Sequence, residues 1–215
     1  MERSKTIITP VIVALAILHE VGAVGLHLDA TKELFQSLTP LNLLISIGAL
    51  AIFHRQWTMN FGIFLFATFW GTYLIEILGV RTGAIFGEYY YGSALGPKVG
   101  GVPPLIGLLW VMLAYCSGII SQNLSSSFWV RVISGAILVV ILDFMIEPVA
   151  IEQDFWYWVG NKIPAQNYFA WLVISIGIMF GFHSLHQEKT NPLATPVYLI
   201  QLTFFAIFMV VRLGV

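Results

Sequence analysis

The chain has 215 residues, of which 58% are hydrophobic and only 10% charged, with a mean hydropathy of +0.86. About a quarter of the residues of a soluble domain are charged, so this composition excludes one and predicts an integral membrane protein. Ten basic residues against eleven acidic ones offer no basic surface to nucleic acid, and the single cysteine, Cys116, excludes an intramolecular disulfide.

Apolar runs near the ~20 residues that cross a bilayer lie at about 7–28, 40–55, 59–80, 102–121, 128–148, 165–184 and 193–213. They predict an all-α, polytopic membrane helical bundle of about seven transmembrane helices, forming one membrane domain over 1–215. The leading MERSKTII resembles the basic flank of a signal peptide. No small-residue cleavage site follows it, so a retained span is expected. Connections after the second, fourth and sixth spans are short: HRQW, SQNLSSS and HSLHQEKTN. The others, 29–39, 81–101 and 149–164, hold four of the eight tyrosines and five of the eleven acids. Basic residues divide five against five between the two sides, which leaves the positive-inside rule nothing to act on. Arg81 and Lys98 fall in a loop of functional character, which favours an inside N-terminus.

The second half of the chain can be laid over the first. Glu76 is followed 13 residues later by Tyr89, Tyr90 and Tyr91, and Asp143 is followed 13 residues later by Trp156, Tyr157 and Trp158. Pro103 precedes Trp110 by seven residues, and Pro164 precedes Trp171 by seven. A weaker echo relates Glu20 and Pro40. Three related helical hairpins plus a terminal helix are expected, pairing spans 1–2, 3–4 and 5–6.

This arrangement puts Glu20, Glu76, Asp143 and Glu147 in the second halves of odd-numbered spans, towards one face of the membrane. Glu88, Glu152 and Asp154 join them from the loops, and the other face has only Glu2 and Glu188. An ionisable group at the centre of a spanning helix costs about 2.5–3.5 kcal/mol on insertion scales, so each marks a functional site by default. The bland alternatives are an ion pair between Glu20 and His19, and an interfacial Glu76 held by Arg81. Asp143 and Glu147 share a helix face. Two like charges there would not both ionise, so one carboxyl is expected to hold its proton, as a general acid does. The aromatic triplets fit an interfacial belt or rings that stabilise a cation.

Other chemistries lack their residues. No HxxxH or HxxHH set supports a di-iron oxygenase, and no pair of DxxxD motifs supports a magnesium diphosphate site. The last span has no lysine for a retinal Schiff base, and GxGxxG and Walker patterns are missing. His183 and His186 lie on the side away from the acids. No metal and no cofactor are expected.

The blocks EILGVRTGAIFGEYYYGSALGPKVGGVPPLIGLLWV (76–111) and DFMIEPVAIEQDFWYW…IPAQNYFAWLV (143–173) resemble the membrane carotenoid biosynthesis proteins, the carotenoid 1,2-hydratases and bisanhydrobacterioruberin hydratases, over roughly residues 70–185. A more distant likeness is to the heterodimeric lycopene cyclases. The resemblance implies water addition across the terminal C1–C2 double bond of an acyclic carotenoid, in a multi-pass protein of the cell's inner membrane. Such hydration needs an acid to deliver H⁺, a cation-tolerant pocket and a group that positions water. Asp143 or Glu147 would donate the proton, with Glu76 as partner. Tyr89, Tyr91, Trp156 and Trp158 would flank the cation. Asp154, Gln166 and Asn167 would hold the water, Arg81 would set the ionisation of Glu76, and Glu20 would belong to the substrate-binding set. The expected partners are a carotenoid and the lipid bilayer, with homo-oligomers or other carotenoid enzymes also compatible. A lycopene-type cyclase shares the protonation step, and a proton-coupled transporter or non-catalytic lipid-binding protein would also use intramembrane carboxylates.

Overall fold

In the computed structural model, which describes residues 2–185 and 189–212, the long apolar runs become helices. They are α1 (Glu2–His27), α2 (Lys32–Phe53), α3 (Met59–Thr82), α4 (Leu105–Leu124), α5 (Phe128–Glu152), α6 (Ala165–Ser184) and α7 (Ala194–Arg212). All seven are long and apolar enough to span a bilayer, which makes this a multi-pass membrane protein. Hydrocarbon offers no partner to backbone N–H and C=O groups, and a helix satisfies all of them within one segment. α4 is the central element, packed against α2, α3, α5, α6 and α7.

Two boundaries differ from the expected ones. Residues 29–39 are mostly helix, because α2 begins at Lys32 and carries Pro40 inside it. Likewise α5 passes through Pro148 to Glu152. The polar turn KELFQSLT lowers the hydropathy without breaking the helix. A proline removes one backbone donor and strains the turn before it, yet both helices continue through theirs.

The aromatic triplets form the other regular element. β1 (Tyr89–Tyr91) and β2 (Trp156–Trp158) pair antiparallel, with Tyr89 opposite Trp158, Tyr90 opposite Tyr157 and Tyr91 opposite Trp156. Aromatic side chains favour a pleated, half-buried surface, and alternate residues of a strand face opposite sides. Tyr89, Tyr91, Trp156 and Trp158 are therefore buried, while Tyr90 and Tyr157 stack on the outer side, centroids 5.4 Å apart. Gly83, at φ 65°, ends α3 in the left-handed conformation that glycine adopts without strain. From there the chain turns into the loop carrying β1.

The ribbon joins the α3–α4 loop to the α5–α6 loop, the two stretches that the sequence repeat lays over one another. Trp110 and Trp171, each seven residues past its proline, stack on one another with centroids 3.6 Å apart and planes inclined by 14°. The α1–α2 hairpin stands outside this pair and packs with α7.

Candidate active site

Under the ribbon, two glutamates sit in matching cradles. Glu76 lies six residues before the end of α3 at Thr82 and is 3% exposed. Its Oε2 accepts hydrogen bonds from the hydroxyls of Tyr89 (2.5 Å) and Tyr91 (2.8 Å), and its Oε1 accepts one from Trp110 Nε1 (2.9 Å). Glu147 lies five residues before the end of α5 at Glu152 and is 1% exposed. Its Oε2 accepts from Trp156 Nε1 (3.1 Å) and Trp158 Nε1 (2.7 Å), and its Oε1 from Asn167 Nδ2 (2.9 Å). Each carboxyl thus takes two donors from the ribbon and one from the following helix. Buried polar groups without such partners cost several kcal/mol in hydrocarbon. Burial, and after it the Glu76 charge, raise the Tyr89 and Tyr91 hydroxyls above their ordinary pKa, so both remain hydrogen-bond donors.

Asp143 is different. It is 1% exposed, one turn below Glu147, and its Oδ2 accepts a single long hydrogen bond of 3.3 Å from the same Asn167 amide that serves Glu147. The sequence repeat pairs Asp143 with the tryptophan triplet at the Glu76-to-tyrosine spacing. In the structure the tryptophans bond Glu147 instead, because α5 runs on through Pro148 and leaves Asp143 nine residues from its end.

The three carboxyls line one small chamber together with Phe86, Ile106, Leu109, Asn167 and Trp171. About 20 Å³ is open to the centre of a water molecule, and one water needs about 10–15 Å³ on that measure. The chamber thus has room for about one water. Leu109 and Trp156 also form the wall of a larger apolar cavity, about 150 Å³ on the same measure, between α1, α2 and α7.

Residues 38–215 match the carotenoid biosynthesis protein family. This chain belongs to that family. A curated relative named bisanhydrobacterioruberin hydratase, from Haloarcula japonica, is 35% identical over 123 residues, which make up 52% of this chain and 42% of the relative. The aligned part therefore spans less than half of that relative. No solved structure matches the chain.

Of the site residues expected in this carotenoid biosynthesis protein, Glu76, Asp143, Glu147, Tyr89, Tyr91, Trp156, Trp158 and Asn167 meet at the chamber. The others do not line it. Asp154, at φ 58°, joins the two loops. Its Oδ2 accepts from the Ser93 amide (2.8 Å) and hydroxyl, and its Oδ1 accepts from Tyr157 (2.8 Å). Burial would raise its pKa, but these hydrogen bonds outweigh that and hold the carboxyl below its ordinary value. Gln166 donates to the carbonyls of Ala84 (2.6 Å) and Ile85 (3.1 Å), which fixes the start of α6 against the β1 loop. Arg81 and Glu20 are exposed. His19, the expected ion-pair partner of Glu20, instead bonds the Leu15 carbonyl and Gln201. His183 bonds Ser121 (3.0 Å), while His186 and Glu188 lie outside the described residues, as does the side chain of Glu2.

Trp110 and Trp171 read in the sequence as markers of the repeat and not as site residues. The seven-residue spacing from each proline was the signal, since it puts both rings at one depth under the ribbon. Leu109 and the apolar cavity leave no such trace, because a lining leucine is one of many.

Proposed function

We propose that the chain is a carotenoid hydratase, adding water across the terminal C1–C2 double bond of an acyclic carotenoid end to give a tertiary alcohol. Asp143 delivers H⁺ to C2, and the positive charge develops at C1. The faces of Trp156, Trp158 and Trp171 and the carboxylates of Glu76 and Glu147 stabilise that charge. One water in the chamber adds to C1 and passes a proton to Glu147. Asn167, bonded to both acids, lies between Glu147 and Asp143, where the proton must return. The balance is one water added, with the acids restored.

The observation that carries this reading is the unequal provision of donors. Glu76 and Glu147 each accept three hydrogen bonds from N–H or O–H groups, whereas Asp143 accepts one at 3.3 Å. Donors aimed at a carboxylate favour its charged form, so a proton shared among the three acids belongs on Asp143. The double bond reaches it from the apolar cavity, past Leu109 and Trp156. The limited room for water fits capture by a single molecule.

Expression in cells that accumulate lycopene or γ-carotene tests the reaction. Hydration yields a product heavier by one water. Isomers of unchanged mass would overturn hydration and favour cyclisation, which begins with the same protonation but ends when an internal double bond captures the cation. A transporter reading has less support, because inverted repeats are the common transporter plan and these hairpins run parallel.

A further inference from the structure

The apolar cavity beside the chamber contains a polar cluster that the reaction does not use. Its walls are almost wholly hydrocarbon, including Leu26, Phe35, Leu38 and Phe205, yet His19, Asn42 and Gln201 also face it. Asn42 lies ten residues past Lys32 along α2, and Gln201 eleven residues before Arg212 on α7. At 1.5 Å per residue both are about 15 Å below the acid-bearing face, near the middle of a hydrocarbon layer about 30 Å thick. His19 and Gln201 are each 3% exposed.

The hydrogen bonds fix what this cluster has left to offer. His19 Nδ1 lies 2.8 Å from the Leu15 carbonyl, which can only accept, so Nδ1 carries the proton. Nε2 then accepts from Gln201 Nε2 at 2.8 Å, which leaves Gln201 Oε1 as an acceptor. Asn42 Oδ1 is buried with no partner among the described residues. Most buried amide oxygens are bonded, and an exception calls for an explanation. Gly22 also lines the cavity beside this amide: a Cβ there would stand 3.8 Å from Asn42 Nδ2, in ordinary contact.

We propose that Asn42, with the His19–Gln201 pair, is a hydroxyl-binding station, and that the cavity's ligand is an extended isoprenoid that already carries a hydroxyl group. A hydroxyl both donates and accepts, so it matches the Asn42 amide in either orientation, whereas a plain hydrocarbon leaves the amide orphaned. The station selects among apolar chains that the rest of the cavity does not distinguish. Naming the apolar body a carotenoid rests on the hydratase reading; the selectivity for a hydroxyl does not.

Binding can be measured without turnover. The full chain, purified into lipid nanodiscs, is titrated with a monohydroxylated linear polyene and with its deoxy parent, with quenching of tryptophan fluorescence as the readout. One net hydrogen bond corresponds to about a tenfold preference for the hydroxylated ligand. Asn42→Leu should abolish the preference while leaving the parent's affinity unchanged, and Gln201→Met should reduce it. Gly22→Leu should weaken both ligands by filling the cavity. Equal affinity of the unmodified chain for the two polyenes would overturn the proposal and assign Asn42 an ordinary water. A preference that survives both Asn42→Leu and Gln201→Met would overturn it too. A preserved preference in a chain that forms no hydrated product would count against the reaction and leave the station standing.

Discussion

Replacing Asp143 by Asn removes the transferable proton and little else. The side chains are nearly the same size, and the only hydrogen bond at stake is the 3.3 Å contact with Asn167, which an amide oxygen also accepts. The cradles of Glu76 and Glu147 involve other donors and should persist. The fold should therefore survive, with a melting temperature in detergent close to that of the unmodified chain. Catalysis should not survive. A positioned general acid contributes about 10²–10⁴ in rate, or about 3–5 kcal/mol of barrier at 1.36 kcal/mol per decade. The assay is the yield of hydroxylated carotenoid per unit of folded protein, resolved by chromatography and mass. An unchanged yield from Asp143→Asn would remove this residue from the chemistry. Loss of yield with unfolding would point to a structural role, which Asp143→Ser would then test by showing whether an uncharged, smaller group restores the fold alone.

Glu20→Gln and Arg81→Gln should leave the yield within about twofold, since both residues are exposed and neither lines the chamber; a tenfold loss in either would refute the assigned boundary of the site. Trp110→Phe keeps a ring to stack on Trp171 but removes one of the three donors to Glu76. Thermal melting in detergent should report a loss of about 1.5–3 kcal/mol, the range for hydrogen bonds to charged groups, and Trp171→Phe should cost less. Asp154→Asn tests the staple between the loops, and asparagine tolerates the positive φ there. The folded Asp154 carboxyl sits below its ordinary value, so its stabilisation is present above the unfolded pKa of about 3.9 and fades as pH falls through the folded value. Limited proteolysis should show the variant looser than the unmodified chain at pH 7 and the two converging in acid, once pH has fallen through the folded value of Asp154.

The spans were legible because hydrophobic length is set by the bilayer, and every helix follows from it. The polar first turn of α2 and the last turn of α5 were not legible, since hydropathy reads a proline or a polar turn as an end when the hydrogen-bonded helix continues. Glu76 and its tyrosines could be read from the 13-residue spacing, as could the matching depth of Trp110 and Trp171. The same spacing misled at Asp143, where the extra turn of α5 hands the tryptophans to Glu147. Asp154 and Gln166 looked like site residues because polar groups beside aromatic runs resemble water-binding groups. Whether such a residue turns inward or staples two loops depends on the ribbon's register, which a three-residue strand does not announce.

The repeated cradle also shows where the reactive group comes from. Both halves build the same cradle: a glutamate near the end of a helix, two donors from a ribbon strand and one from the next helix. The symmetry breaks at two positions. One turn below Glu76 stands Thr72, whose hydroxyl bonds the Thr68 and Phe69 carbonyls of its own helix; one turn below Glu147 stands Asp143. Three residues past Pro103 stands Ile106, and three past Pro164 stands Asn167, with both side chains lining the chamber. The duplicated frame thus supplies two carboxyls held by donors on every side, and only the second half adds an acid with almost none, together with the amide that joins it to its neighbour. A symmetric pair of well-bonded glutamates has no reason to hold a proton at one point more than another. Asp143 and Asn167 give the chamber a direction, and for that reason the end group should approach the α5–α6 side.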